Sequence, residues 1–141
     1  AWGYYLTDRL TVDGVLTYAR GKRTDVADNL YRLAPLNGRI GLTYEDEGWL
    51  ASLEVIGYSS QDEVSAYNDE PSTAGYSVFN ALAQWEASPQ LTISASIQNL
   101  LDKRYQAHLG GVNRVTGVDI PLGERLYGVG RSVYLGASFT W

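Results

Sequence analysis

The chain has 141 residues, room for one domain by length alone, and its net charge of -5 with no basic block argues against binding nucleic acid through phosphate neutralisation. It has no cysteine, which excludes a disulfide scaffold and a thiolate metal site, and no apolar run near the roughly 20 residues of a membrane-crossing helix. The aromatic residues are unevenly chosen, 11 Tyr and 4 Trp against 2 Phe, and amphipathic rings in that excess suit a surface that is greasy at one end and wet at the other.

A period of two runs through most of the chain, as in strands with one apolar and one polar side. Residues 1–6 leave room for a partial strand, followed by a Thr7-Asp8 turn. Residues 9–19 place Leu10, Val12, Leu16 and Tyr18 on one side. Residues 39–45 set Ile40, Leu42 and Tyr44 against Arg39, Gly41, Thr43 and Glu45. After an Asp46-Glu47-Gly48 turn, residues 49–58 are the least regular, with apolar residues on both faces and Ser52 and Glu54 marking the polar one. Residues 77–86 set Phe79, Ala81, Ala83 and Trp85 against Asn80, Gln84 and Glu86, with Val78 and Leu82 interrupting the polar face. A turn at Ala87-Ser88-Pro89-Gln90 leads to residues 91–98, where Leu91, Ile93, Ala95 and Ile97 alternate with Thr92, Ser94, Ser96 and Gln98. Residues 133–141 end the chain on Val133, Leu135, Ala137, Phe139 and Trp141, alternating with Tyr134, Gly136, Ser138 and Thr140.

The turns alternate in length. Three short ones carry hairpin residues, and each precedes a strand that runs into a long polar connection: Gly21 to Asn37, Ser60 to Ala74, and Lys103 to Val129. The expected fold is all-β and antiparallel, six strands plus a partial one in up-and-down order. Short turns at one rim and long loops at the other, with strands of about 10 residues, are what transmembrane β-barrels show. Tyr44, Trp49, Trp85 and Trp141 fall next to the short-turn rim, where an interfacial girdle belongs, and Tyr18, Tyr58, Tyr76 and Tyr105 fall near the long-loop rim. A soluble sandwich also alternates, but its strands are nearer 5–6 residues.

Two segments carry a resemblance to a known family. Tyr134-x-Gly136-x-x-Phe139-x-Trp141 resembles the terminal signal read by the outer-membrane assembly machinery, with Trp141 where Phe is usual. Ile97-Gln98-Asn99-Leu100-Leu101-Asp102-Lys103-Arg104-Tyr105 resembles the end of the penultimate strand in TonB-dependent receptors. In that family a long outer loop follows, as residues 106–129 do here, and Pro121 to Arg125 with Gly128 to Arg131 resembles the return into the membrane. The Gly38–Tyr44 strand and the Thr7–Leu10 turn fit the same region.

The resemblance implies the last six to seven strands of a large plugged barrel, of about 22 strands in this family, with residues 1–141 as its C-terminal part and the plug domain absent. The opening Ala-Trp-Gly-Tyr-Tyr-Leu is neither an initiator nor a signal peptide, so a processed or truncated start is expected. It also implies active import of a siderophore, metal complex or similar scarce nutrient across the bacterial outer membrane. The implied partners are the TonB energy-coupling complex acting through the plug, the barrel-assembly machinery, outer-membrane lipid and lipopolysaccharide, and the small-molecule or metal-chelate ligand. A passive porin or structural barrel, and a soluble ligand-binding β domain, are the rival readings.

The residues hold no catalytic constellation, and no enzyme, cofactor or metal site is expected. Gly38-x-x-Gly41 and Gly128-x-Gly130 are too short for a phosphate loop and lack a following helix. Glu45-Asp46-Glu47 reads as a solvated turn. Asp62, Glu63, Asp69 and Glu70 read as a solvated acidic loop, the functional alternative being repulsion of anions or weak binding of divalent cations. His108, the single histidine, lies in the third long loop beside Tyr105 and Arg114, and these three are the candidate ligand contacts. Asp13, Glu54, Gln84, Glu86, Thr92 and Gln98 are expected to face the lumen or the plug.

Overall fold

A computed structural model describes all 141 residues. Seven strands, β1 (Trp2–Tyr5), β2 (Leu10–Thr17), β3 (Asn37–Asp46), β4 (Trp49–Tyr58), β5 (Tyr76–Ser88), β6 (Leu91–Gln98) and β7 (Ser132–Phe139), follow one another in a single sheet. Every neighbouring pair is antiparallel. The expected alternation of turns holds. Residues 6–9, 47–48 and 89–90 close one rim, while three long loops, L1 (residues 18–36), L2 (59–75) and L3 (99–131), crowd the other. At the tightest turn Gly48 takes φ +73°, a left-handed conformation glycine adopts without a Cβ clash.

Four strands differ from the sequence reading: β2 is Leu10–Thr17 rather than 9–19, β3 is Asn37–Asp46 rather than 39–45, and β5 and β7 shift at their ends. Ala87 and Ser88, expected in a turn, extend β5, because a register irregularity between Glu86 and Ser88 absorbs one residue and lets the pairing continue. The last strand stops at Phe139 rather than Trp141, although the Thr140 amide still donates to the Gln90 carbonyl at 2.9 Å.

The register turns the period of two into rows that cross the sheet. One row runs Tyr4, Val12, Leu42, Leu53, Ala81, Ile97 and Val133. Another, nearer the short turns, runs Trp49, Trp85, Ile93 and Ala137, where the two indoles stack at 5.6 Å. These rows share one face. The opposite face carries Asp13, Arg39, Glu54, Asn80, Gln84, Glu86, Thr92, Ser94, Ser96 and Gln98, with Val78 and Leu82 as the expected interruptions.

No hydrophobic side chain is buried, and Leu53, Val133, Leu135 and Phe139 are each more than half exposed. A soluble sandwich would cover this face with a second layer; none packs here, and the sandwich reading does not hold. An apolar face of this extent, bounded by tryptophans at one rim, is matched to lipid.

The two faces therefore respond differently to charge. Leu53→Arg, midway up the lipid face, is expected to lower stability by about 2–4 kcal/mol, while Ser94→Lys on the wet face leaves it nearly unchanged. Urea unfolding in lipid vesicles, followed by tryptophan fluorescence, checks this, and equal effects at the two positions would reverse the assignment of faces.

Candidate functional site

The wet face carries a polar ladder built around a missing side chain. Asp13 and Glu54 stand on either side of Gly41 in the register. Arg39, two residues along β3, lies over Gly41 and bridges both carboxylates, with its guanidinium on Asp13 and at 3.2 Å from Glu54. A Cβ on Gly41 would sit 2.8 Å from Asp13 Oδ1 and 2.9 Å from Arg39 Nη1, so a side chain there would push the bridge aside. The ladder continues as the Asn80 amide donates to Glu54 at 2.9 Å and its carbonyl oxygen accepts from the Asn99 amide at 3.0 Å. These side chains are part-exposed, so each ion pair adds little stability. Their effect is to hold the spacing of β2 to β6.

Asn99 joins this ladder to L3. It sits in the left-handed region at φ 51°, and its side chain donates to the carbonyls of Lys103 and Val129 and accepts from the Lys103 amide. Asp102 accepts from the Arg131 amide at 2.8 Å. The Asn and Asp of the family-like segment thus clamp the two ends of L3 together. Beside them Tyr58, Tyr76 and Tyr105 stack at 4.9 and 4.4 Å. The alternation puts Tyr58 and Tyr76 on the wet face, not on a lipid girdle. Gly128 packs on the Tyr105 ring so closely that an added Cβ would lie 2.2 Å from it.

Above the ladder the three loops interlock around buried polar groups. Each loop closes on itself through one bridge, Lys22 with Asn29, Gln61 with Thr73, and Val112 with Arg125. The centre is Glu70 of L2, expected as a solvated acid but in fact 2% exposed at its side chain. It accepts from the Arg32 amide of L1 at 2.9 Å, from the Ser65 amide of L2 at 2.9 Å, and from His108 Nε2 of L3 at 3.2 Å. Arg32 meets it at φ 59°, a conformation that non-glycine residues rarely hold without such support. Thr73 Oγ1 donates to His108 Nδ1 at 2.9 Å, which leaves the proton of the neutral ring on Nε2.

Three further residues complete the cluster. Asp28 of L1 accepts from Ser65 Oγ at 2.6 Å and from the Ala66 and Tyr67 amides, capping the short 3-10 turn Ala66–Asn68. The Ser65 hydroxyl first, then those amides, hold its carboxyl below the usual range. The buried Arg125 guanidinium donates to the carbonyls of Ala107, His108 and Gly110. Asn113 spans L3 through the carbonyls of Val115 and Ile120. No buried side-chain polar atom is left without a partner.

Of the candidate ligand contacts, Tyr105 is half-buried in the tyrosine stack, His108 is sealed with both nitrogens engaged, and Arg114 is exposed. No hydrogen bond or ring stacking joins the three: His108 pairs with Thr73 and Glu70, and Tyr105 with Tyr76. Along β7, Tyr134 near the loop end and Gly136 in mid-strand face the wet side opposite Ser96 and Ser94, while at the short-turn rim Phe139 faces lipid opposite Leu91 and Trp141 is fully exposed beyond the strand. Sequence reasoning missed Glu70, Arg125, Asn99 and Asn113 as organising groups. Only the Asn99-to-Tyr105 segment carried a signal that marked one of them.

A one-layer antiparallel sheet with a lipid face, a polar face and interlocked loops at one rim is the wall of a transmembrane β-barrel. Residues 1–100 match the family model described as TonB dependent receptor-like, beta-barrel, and the chain belongs to that family. Among solved structures, the copper transporter OprC superposes with a TM-score of 0.90 at 27% identity, over 99% of this chain and 23% of that one. A point mutant of the ferric enterobactin receptor PfeA from Pseudomonas aeruginosa superposes with a TM-score of 0.72 at 20% identity, over 99% of this chain and 21% of that one, and bears on the fold alone. The chain spans less than a quarter of the length of either protein. No protein of curated function matches. The matched structures are named as a transporter and a receptor, not as enzymes.

Glu70→Ala strands three donors from three loops at about 1 kcal/mol or more each. Faster hydrogen exchange at the Arg32 and Ser65 amides, with the strands unaffected, is the expected result. Acid acts on the same cluster through His108. Burial, reinforced by the Arg125 and Arg32 guanidiniums and opposed by Glu70, holds its pKa below the ordinary 6.5. The unfolded loops therefore take up a proton first, so the stability from neutral His108 is complete above that value and lost as pH falls through the folded one. Loop protection factors, which allow for the slower chemical exchange at lower pH, are expected to fall in mild acid in the wild type and to lose that dependence in His108→Gln.

Proposed function

We propose that residues 1–141 are the C-terminal part of the barrel of a TonB-dependent receptor, with the plug outside this chain, and that the receptor imports a scarce metal complex across the bacterial outer membrane. The observation that carries this reading is the superposition of 99% of the chain on the copper transporter OprC at a TM-score of 0.90. Family membership supports it, as does a sheet whose edges at β1 and β7 have no partner within the chain. Unpaired main-chain groups in lipid cost several kcal/mol each, so further strands would have to pair there.

In this reading the chain contributes wall and three outer loops, and energy arrives through the plug from the TonB complex. The polar ladder of Asp13, Arg39, Glu54 and Asn80 faces the plug. The cargo is a ferric siderophore or a copper complex. This chain offers no group of three or more His, Cys, Asp or Glu placed to hold a bare metal ion, which favours recognition of a complex by its chelator. Arg114 stands free to meet an anionic chelate, while Tyr105 and His108 reach it only once L2 and L3 part. Tyr134, Gly136, Phe139 and Trp141 serve the assembly machinery, and the lipid face meets outer-membrane lipid and lipopolysaccharide.

Uptake of radiolabelled ferric siderophores and copper complexes by a strain lacking the parent gene tests the proposal. Loss of one complex is expected, restored by the intact gene and restored by Arg114→Ala only at about tenfold higher ligand. Uptake of every complex at wild-type rates would remove the import reading. Uptake that persists without an energised inner membrane would mark a passive porin.

A further inference from the structure

At the loop end of the lipid face the sheet is hollowed. A groove of about 700 Å³ is lined by Leu16, Gly38, Gly57, Phe79, Leu101 and Lys103, among others. Its floor is a pair of glycines that face each other across β3 and β4. A Cβ built on Gly57 would meet nothing within 4 Å, so the space above it is open. Leu16 and Leu101 stand at its sides, 72% and 67% exposed. Lys103 takes part in none of the ion pairs. Its neighbour Arg104 instead lies over the Tyr127 ring at 3.9 Å.

The height of the groove limits what can fill it. Gly57 is eight residues along β4 from Trp49, or ~26 Å of strand and ~20 Å along the membrane normal at a tilt of about 40°. The apolar band of such barrels is about 25 Å tall. The glycine floor therefore lies just inside the outer boundary of the hydrocarbon, and Lys103, in L3 beyond the end of β6, lines the same groove. An apolar trough ending in a free cation fits one molecule of a lipid with an anionic phosphate head.

We propose that this groove is a binding site for one anionic phospholipid, an acyl chain lying over Gly38 and Gly57 and the phosphate against Lys103. The proposal rests on the membrane-barrel reading. It goes beyond general contact with lipid, since it names one seat, one charge and one filling substitution.

The test uses the intact receptor in detergent, offered phosphatidylglycerol or phosphatidylcholine of equal chain length and examined by native mass spectrometry. The receptor is expected to retain one phosphatidylglycerol in preference to phosphatidylcholine. Lys103→Gln should cut that preference about fivefold, the worth of one lysine at an anionic surface. Gly57→Leu should remove retention of both lipids by filling the trough. Equal retention of the two lipids, or preference untouched by Lys103→Gln, overturns the proposal, as does displacement of the lipid by inorganic phosphate alone. Heat-modifiable gel mobility of each variant separates the failures: a receptor without it fails as a barrel, and the proposal falls with that reading, whereas a heat-modifiable receptor without preference fails only as a lipid site.

Discussion

Everything in this molecule follows from the need to satisfy main-chain hydrogen bonds where there is no water. In lipid an unpaired N–H or C=O costs several kcal/mol, so a chain that crosses as strands must pair each strand with its neighbours. Up-and-down order with turns of two to four residues at one rim meets that need with the least chain. The register that results decides which side chains share a row, and the rows decide which face meets lipid. Glycines are spent where the sheet needs room: at Gly41 for the Arg39 bridge, at Gly128 for the Tyr105 ring.

Burial is inverted relative to a soluble domain. Pro35 apart, no apolar side chain is buried, and the buried polar ones (Gln61, Ser65, Glu70, Thr73, Asn99, His108, Asn113 and Arg125) all belong to the outer loops or their bases. The sheet draws its stability from the surrounding lipid and from backbone pairing, while the loops draw theirs from a small polar core. Such a core tolerates little, because each buried donor or acceptor that loses its partner bears the full cost of desolvation. It also makes the loops one body. Glu70 binds a group from each of them, so none of the three opens without breaking a bond to the others.

The ladder on the wet face and the loop cluster are not separate. Asn80 holds Glu54 with its amide and the Asn99 amide with its carbonyl oxygen, and Asn99 clamps both ends of L3. Groups on the wet face are thereby connected to the longest outer loop through a handful of short bonds. The two groups of side chains therefore form one continuous hydrogen-bonded path from the wet face to the base of L3.

Much of this was legible in the residues themselves. Alternation is local, so Trp49–Tyr58 and Leu91–Gln98 were bounded correctly and the apolar face was named strand by strand, least clearly in Trp49–Tyr58, and the turn residues ordered the strands. The segment from Asn99 to Tyr105 pointed to the family. The loops were not legible, because they carry no period and their partners are distant: His108 lies 38 positions from Glu70 and Arg32 lies 77 from Leu109. Glu70 looked like a solvated acid and His108 like a ligand contact, since composition records charge and not burial. Only the closing of three loops over one rim takes both out of water and makes each the other's partner. The sequence by itself determined the strands, their order and their faces, since these depend on neighbours in the chain; the tertiary structure decided which polar groups would be buried, since that depends on what the rest of the chain brings against them.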